Sequence, residues 1–176
     1  DVPDAGVLRA LTFDDGGSNA VLIADMLEQH GWRGHFYVVT GQIGNPGFLG
    51  ARDIADLAGR GHVVGSHSRS HPFGMARMAP EAVREEWSSS RQALEDVLGA
   101  PVRTASVPGG STSRMVEAVA AASGIEVLFT SEPTSRIGDR DGCLVVGRYQ
   151  LYGRDTPEVA LAIARGESGP RARRAL

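Results

Sequence analysis

The chain has 176 residues, with 18 Lys plus Arg against 21 Asp plus Glu, a formal charge of −3 and one cysteine. Every basic residue is arginine, which excludes chemistry built on a lysine amine, such as a Schiff base, a P-loop phosphate lysine or a kinase-type ion pair. No basic excess is available to release counterions from a nucleic acid, and no run of about 18 apolar residues exists to span a membrane.

At this length one core is the expectation, burying roughly 70% of the unfolded surface without disulfides, since Cys143 has no partner in the chain. The first ten residues lack the basic start and apolar stretch of a signal peptide, and a chain beginning at Asp fits a trimmed product. Val7–Phe13 reads as a buried strand and Asn19–His30 as a helix. His35–Val39 follows as a strand, Ala51–Arg60 as a helix and His62–Gly65 as a strand. Pro80–Leu98 is a long helix with Pro80 in its first turn and Val83, Trp87, Leu94 and Leu98 on an apolar face. Thr104–Val107 (strand), Ser113–Ser123 (helix), Ile125–Thr130 (strand) and Cys143–Gly147 (strand) continue the alternation. Thr156–Ala164 closes it as a helix capped by Asp155 or Thr156. The pattern predicts one domain over 1–165, with a frayed tail over 166–176 rich in Arg, Gly and Pro. Repeated strand–helix alternation implies a mainly parallel sheet, and periodicity fits an open doubly wound sheet and a β/α barrel equally.

In both architectures chemistry collects after the C-terminal ends of strands. Three such places stand out. Thr12-Phe13-Asp14-Asp15-Gly16-Gly17 sends two adjacent carboxylates out of a buried strand, which is costly unless they meet a cation or hydrogen-bond donors. Neighbouring side chains on an extended backbone diverge, so one can hold a metal while the other faces a substrate. Further on, Ser66-His67-Ser68-Arg69-Ser70-His71 places two histidines at i,i+4. A helical turn there would bring both imidazoles to one side, and two His plus a carboxylate is a common zinc set that leaves a position open. The third place is Ser106-Val107-Pro108-Gly109-Gly110, a turn whose small residues allow close backbone approach and a free N–H for an oxyanion. His30, His35 and His62 read as structural.

The TFDDG run at Thr12–Gly16, the H[ST]xxH run at His67–His71 and the Pro-Gly turn, each after a strand and in this order, resemble the polysaccharide deacetylase (NodB-homology, carbohydrate esterase family 4) pattern over roughly Leu8 to Ile163. The resemblance implies a distorted (β/α) barrel with about six or seven parallel strands. It implies a metal-dependent hydrolase that removes an N-acetyl group from an amino sugar or saccharide. Asp15, His67 and His71 would be the ligands of a divalent metal, zinc first, with cobalt, nickel or ferrous iron as alternatives. Asp14 would be the base and Gly109 the oxyanion donor, with Pro108 and Glu132 beside the substrate.

Departures from the family pattern are specific. Ser106 stands where the family carries an arginine that braces the catalytic aspartate, and Arg103 lies three residues earlier. Ser131-Glu132-Pro133-Thr134 replaces an Asp–Trp motif, and Arg148-Tyr149-Gln150-Leu151-Tyr152 lacks the histidine that donates a proton to the leaving amine. Glu132 is the substitute acid suggested by position, with Asp14 returning its own proton as the other route. A degenerate, saccharide-binding member is the alternative function. A phosphotransferase of the haloacid dehalogenase type is set aside, because it needs Asp-x-Asp and a lysine. Most of the ten aromatic residues fall in predicted elements, which favours a small amino sugar over an insoluble polymer. The lone thiol fits a cytoplasmic location, and export is the alternative if a signal has been removed.

Overall fold

The computed structural model describes residues 9–110 and 112–166. Most of the expected tail from Gly166 onward therefore lies outside the described residues, as do Val7 and Leu8 at the start of the first expected strand. Seven strands form one sheet in the order β1-β2-β3-β4-β5-β7-β6. They are β1 (Leu11–Phe13), β2 (Gly34–Val38), β3 (Val63–Ser66), β4 (Thr104–Ser106), β5 (Val127–Phe129), β6 (Ile137–Arg140) and β7 (Cys143–Val146). Neighbours pair in parallel from β1 to β7, and only β6 runs antiparallel, at the edge beside β7. The expected six or seven strands are present, six of them parallel.

β6 is the element that the alternation pattern does not reveal. Its burial is slight, so no apolar run marks it. The turn to β7 is Asp141-Gly142, both with positive φ (52° and 85°), as a two-residue hairpin turn with right-handed strand twist requires.

The helices are α1 (Ala20–Glu28), α2 (Ala51–Gly59), α3 (Pro80–Leu98), α4 (Arg114–Ala122) and α5 (Pro157–Ala164). α3 begins with Pro80 in its first turn and stops at Gly99, whose φ of 64° ends the helix in the left-handed region. Ser113 caps α4 by accepting a hydrogen bond from the Val116 N–H. At α5 the N-cap residue is Thr156, whose side chain makes no cap bond, while Asp155 accepts from the Tyr152 N–H instead. No helix among the described residues is long and apolar enough to cross a membrane.

Two apolar clusters line the helix-bearing face of the sheet. One joins Phe36, Val38 and Val64 to Ala24, Leu27, Ile54 and Leu57 of α1 and α2. The other joins Ala105, Leu128 and Cys143 to Val83 and Trp87 of α3 and Val116 and Ala120 of α4. The opposite face turns inward. Tyr37 of β2 lies 5.6 Å, ring to ring, from Phe129 of β5. Three strand spacings would separate those strands by about 14 Å in a flat sheet, so the sheet is curled into part of a barrel. Gly65 permits this interior. A Cβ there would press into the Tyr37 ring and meet Thr104 Oγ1 at 2.6 Å.

Candidate active site

The C-terminal ends of β1 and β3 bring the two acidic and two histidine positions together. Asp15 Oδ1 lies 3.4 Å from Nε2 of His67 and 3.4 Å from Nε2 of His71. One ligand atom from each of the three residues falls within 4.8 Å of the others. A tetrahedral zinc with bonds of about 2.05 Å sets its ligands about 3.3 Å apart, so the two short spacings suit such a centre. The chemistry of the donors agrees. His67 Nδ1 sits 2.8 Å from the Ser106 carbonyl oxygen, which only accepts. Nδ1 therefore carries the hydrogen, which leaves Nε2, the nitrogen facing Asp15, as the ring atom available to a metal. Two imidazole nitrogens and a carboxylate oxygen converging on one point form a donor set that zinc takes.

The two histidines do not meet through a helical turn, as their spacing suggests. Ser68 and His71 have positive φ (64° and 57°), as has Asp15 (73°). Such backbone is uncommon outside glycine and concentrates at functional sites. The segment is held by bonds that no motif announces. His67 N–H donates to the Val38 carbonyl, Ser68 N–H to Ser66 Oγ, and His71 N–H to Ser68 Oγ. Ser66 Oγ in turn donates to Ser90, the one buried hydroxyl on the inward stripe of α3. One turn earlier on that helix, Glu86 accepts from the N–H groups of Arg69 and Ser70 and from the Ser70 hydroxyl. The rings of His67 and His71 then stand 5.0 Å apart, edge to face.

Asp14 points away from Asp15 into a second network. Arg148, two residues past β7, donates from Nη1 to Asp14 Oδ1 at 2.9 Å and from Nη2 to Asp14 Oδ2 at 2.8 Å. Ser106 Oγ donates to Asp14 Oδ2 at 3.0 Å and accepts from Arg148 Nη2 at 2.7 Å. Burial pushes the Asp14 carboxyl up, but the Arg148 hydrogen bonds, the nearby His67, the Arg148 charge and Ser106 together hold it below the ordinary aspartate value. His67 Nε2 is 3.9 Å from Asp14 Oδ2, so Asp14 lies beside the Asp15–His67–His71 cluster.

The aspartate is therefore braced by an arginine after all. It is not Arg103, which pairs with Glu126 at the surface. The sequence carries no signal for Arg148, because the contact spans 134 positions and depends on the curl of the sheet. Among the other expected site residues, Pro108 is buried and Gly109 is exposed at the crest of its turn with φ 63°. Glu132 lines a neighbouring cavity of about 240 Å³ with Thr112, Glu117, Thr130, Arg136 and Arg140, and neither Asp14 nor the ligand cluster borders it. His62 is structural, accepting from the Gly34 N–H and meeting Glu28. Tyr37 is fully buried, and that burial raises its phenol far above the usual value, so it keeps its proton.

A family model described as Polysaccharide deacetylase matches residues 3–128, well over half of the sequence. The chain belongs to the polysaccharide deacetylase family. No curated protein matches it closely. Solved structures with the same fold include the Streptococcus pyogenes deacetylase PplD in complex with acetate, at 20% identity and TM-score 0.77, covering 86% of this chain and 68% of that one. A polysaccharide deacetylase from Bacillus cereus matches at 21% identity and TM-score 0.78, with coverage of 88% and 50%. A CE4 family pseudoenzyme from Bacillus anthracis matches at 21% identity and TM-score 0.60, with coverage of 68% and 41%. The chain thus spans between two fifths and about two thirds of the length of these polysaccharide deacetylase relatives.

Proposed function

We propose that this protein is a metal-dependent hydrolase that removes the N-acetyl group from an N-acetylated amino sugar or small saccharide. The observation that carries the reading is the adjacency of two differently built carboxylates: Asp15 facing the Nε2 atoms of His67 and His71, and Asp14 gripped by a guanidinium. Asp15, His67 and His71 would hold the metal, most simply zinc, leaving at least one position open. When bound there, such an ion polarises a carbonyl and lowers the pKa of water.

Asp14 is the base. Its depressed pKa keeps it ionised at neutral pH, ready to take the proton of the attacking water. The same property makes protonated Asp14 a willing donor, so the proton it takes can return to the leaving nitrogen. That route needs no second acid, and it suits a chain with no lysine and no histidine after β7. Gly109, exposed at the crest of the turn after β4, supplies an N–H for the developing oxyanion.

One observation favours a second reading, a saccharide-binding domain with little turnover: Arg148-Tyr149-Gln150-Leu151-Tyr152 follows β7 where the family carries a histidine. Acetate release from N-acetylglucosamine and its short oligomers, with zinc supplied or chelated, separates the two. Zinc-dependent acetate supports the hydrolase. Saccharide binding without acetate from any of these amides supports the binding domain.

A further inference from the structure

Arg148 is placed unlike any other arginine among the described residues. It sits two positions beyond β7, yet its guanidinium meets Thr12 of β1, Asp14 just after β1, Ser106 of β4 and the residue that follows β5. Nε donates to the Thr130 carbonyl at 3.0 Å, Nη1 to Thr12 Oγ1 at 3.0 Å, and Nη1 and Nη2 to the two Asp14 oxygens, with Ser106 Oγ as the fifth acceptor. Its side chain is 14% exposed and that of Asp14 is 29% exposed. β1 and β7 are five strand spacings apart along the sheet, about 24 Å if it were flat. The arginine therefore closes the end of the curled sheet and grips the carboxylate with the same fork.

We propose that Arg148 is the positioning residue for the Asp14 carboxylate, fixing its plane so that the base addresses the space beside the His67–His71 cluster. This rests on the deacetylase reading of the site. The geometry supports positioning rather than simple closure. A two-point grip from a rigid fork defines the carboxylate plane, whereas an ammonium in the same place contributes a charge without a plane. Three further acceptors, two hydroxyls and a carbonyl from different strands, hold the fork itself still. The remaining hydrogen bond to Asp14 comes from Ser106, which itself accepts from Arg148, and His67 Nε2 stands further off at 3.9 Å.

The test compares wild type with Arg148→Lys and Arg148→Ala, measuring acetate release, zinc content, thermal melting and a crystal structure of the lysine variant. Arg148→Lys is expected to keep its zinc and its fold while kcat falls about 10²-fold at nearly unchanged KM, the usual cost of a reacting group displaced by about 1 Å. Methylguanidinium added to Arg148→Ala is expected to restore turnover in a saturable way, and tetramethylammonium at equal concentration is not. Turnover by Arg148→Lys within about twofold of wild type overturns the proposal, as does an Asp14 carboxylate that keeps its orientation in the lysine variant's crystal structure. If wild type itself releases no acetate, the deacetylase reading fails, and the orientation of Asp14 in that crystal structure still decides whether Arg148 positions it.

Discussion

Replacing Glu86 with alanine removes the acceptor that three donors of the His67–His71 loop, the proposed metal-ligand segment, share. Those bonds are 3.0 Å from Arg69 N, 2.8 Å from Ser70 N and 2.6 Å from Ser70 Oγ. The two amides are reachable by water, so each bond contributes about 0.5–1.5 kcal/mol net, or roughly 2–4 kcal/mol for the set. His71, one residue further on, has positive φ, and the loop's hydrogen bonds must offset that strain. If most of the loss falls on the liganding conformation, zinc affinity drops by roughly 30- to 100-fold, at about 1.4 kcal/mol per tenfold. That lies within the range for losing an outer support of a metal ligand. Competition for zinc against a chromophoric chelator reads the affinity, and melting of the metal-free protein reads the fold. Glu86→Gln, which keeps one acceptor oxygen, should fall between. Zinc affinity of Glu86→Ala within twofold of wild type would refute the claim that α3 holds the loop in its liganding shape.

Three further outcomes follow from the same network and core. Ser106→Ala deletes a donor to Asp14, so the Asp14 pKa rises toward its ordinary value and the acid limb of the pH–rate profile moves to higher pH. A limb that stays put counts against Asp14 as the base. Glu95 accepts from the Val102 N–H and from Arg91, which lower its pKa. A carboxyl depressed on folding contributes stability above its unfolded pKa and loses it as pH falls through the folded one. Glu95→Gln should therefore lower the melting temperature at pH 7, and the gap to wild type should close on acidification below pH 4, measured by thermal unfolding across pH. Gly65→Ala forces a methyl group against the Tyr37 ring and Thr104. It should destabilise by about 1–3 kcal/mol in urea unfolding, and an unchanged midpoint would mean that the interior is looser than described.

The parts of this molecule that were legible in its sequence are those governed by local rules. Pro80 and Gly99 bracket α3, whose expected bounds match the structure at both ends. Adjacent carboxylates after β1 and the paired histidines after β3 pointed to the convergence of Asp15, His67 and His71, because strand ends are where a parallel sheet gathers its chemistry. Illegible were the features made by distance or by solvent-facing pattern. β6, with three exposed residues of four, carries no apolar signature, although Asp141-Gly142 is a readable hairpin turn. Arg148 carries no local signal, since a bond from the end of β7 to Asp14 exists only once the sheet has curled. The His67–His71 spacing suggested a helical turn, whereas the backbone reaches the same convergence through left-handed residues pinned by Ser66, Ser90 and Glu86.

The central claim is that Asp14 acts as a base beside a metal held by Asp15, His67 and His71. Its most direct test is to measure, on the same zinc-loaded preparations, metal content and acetate released from N-acetylglucosamine oligomers by wild type and by Asp14→Asn. The account predicts about one zinc per chain in both and acetate from wild type alone, with the variant's rate lower by at least ~10². Acetate released by Asp14→Asn at the wild-type rate would contradict it.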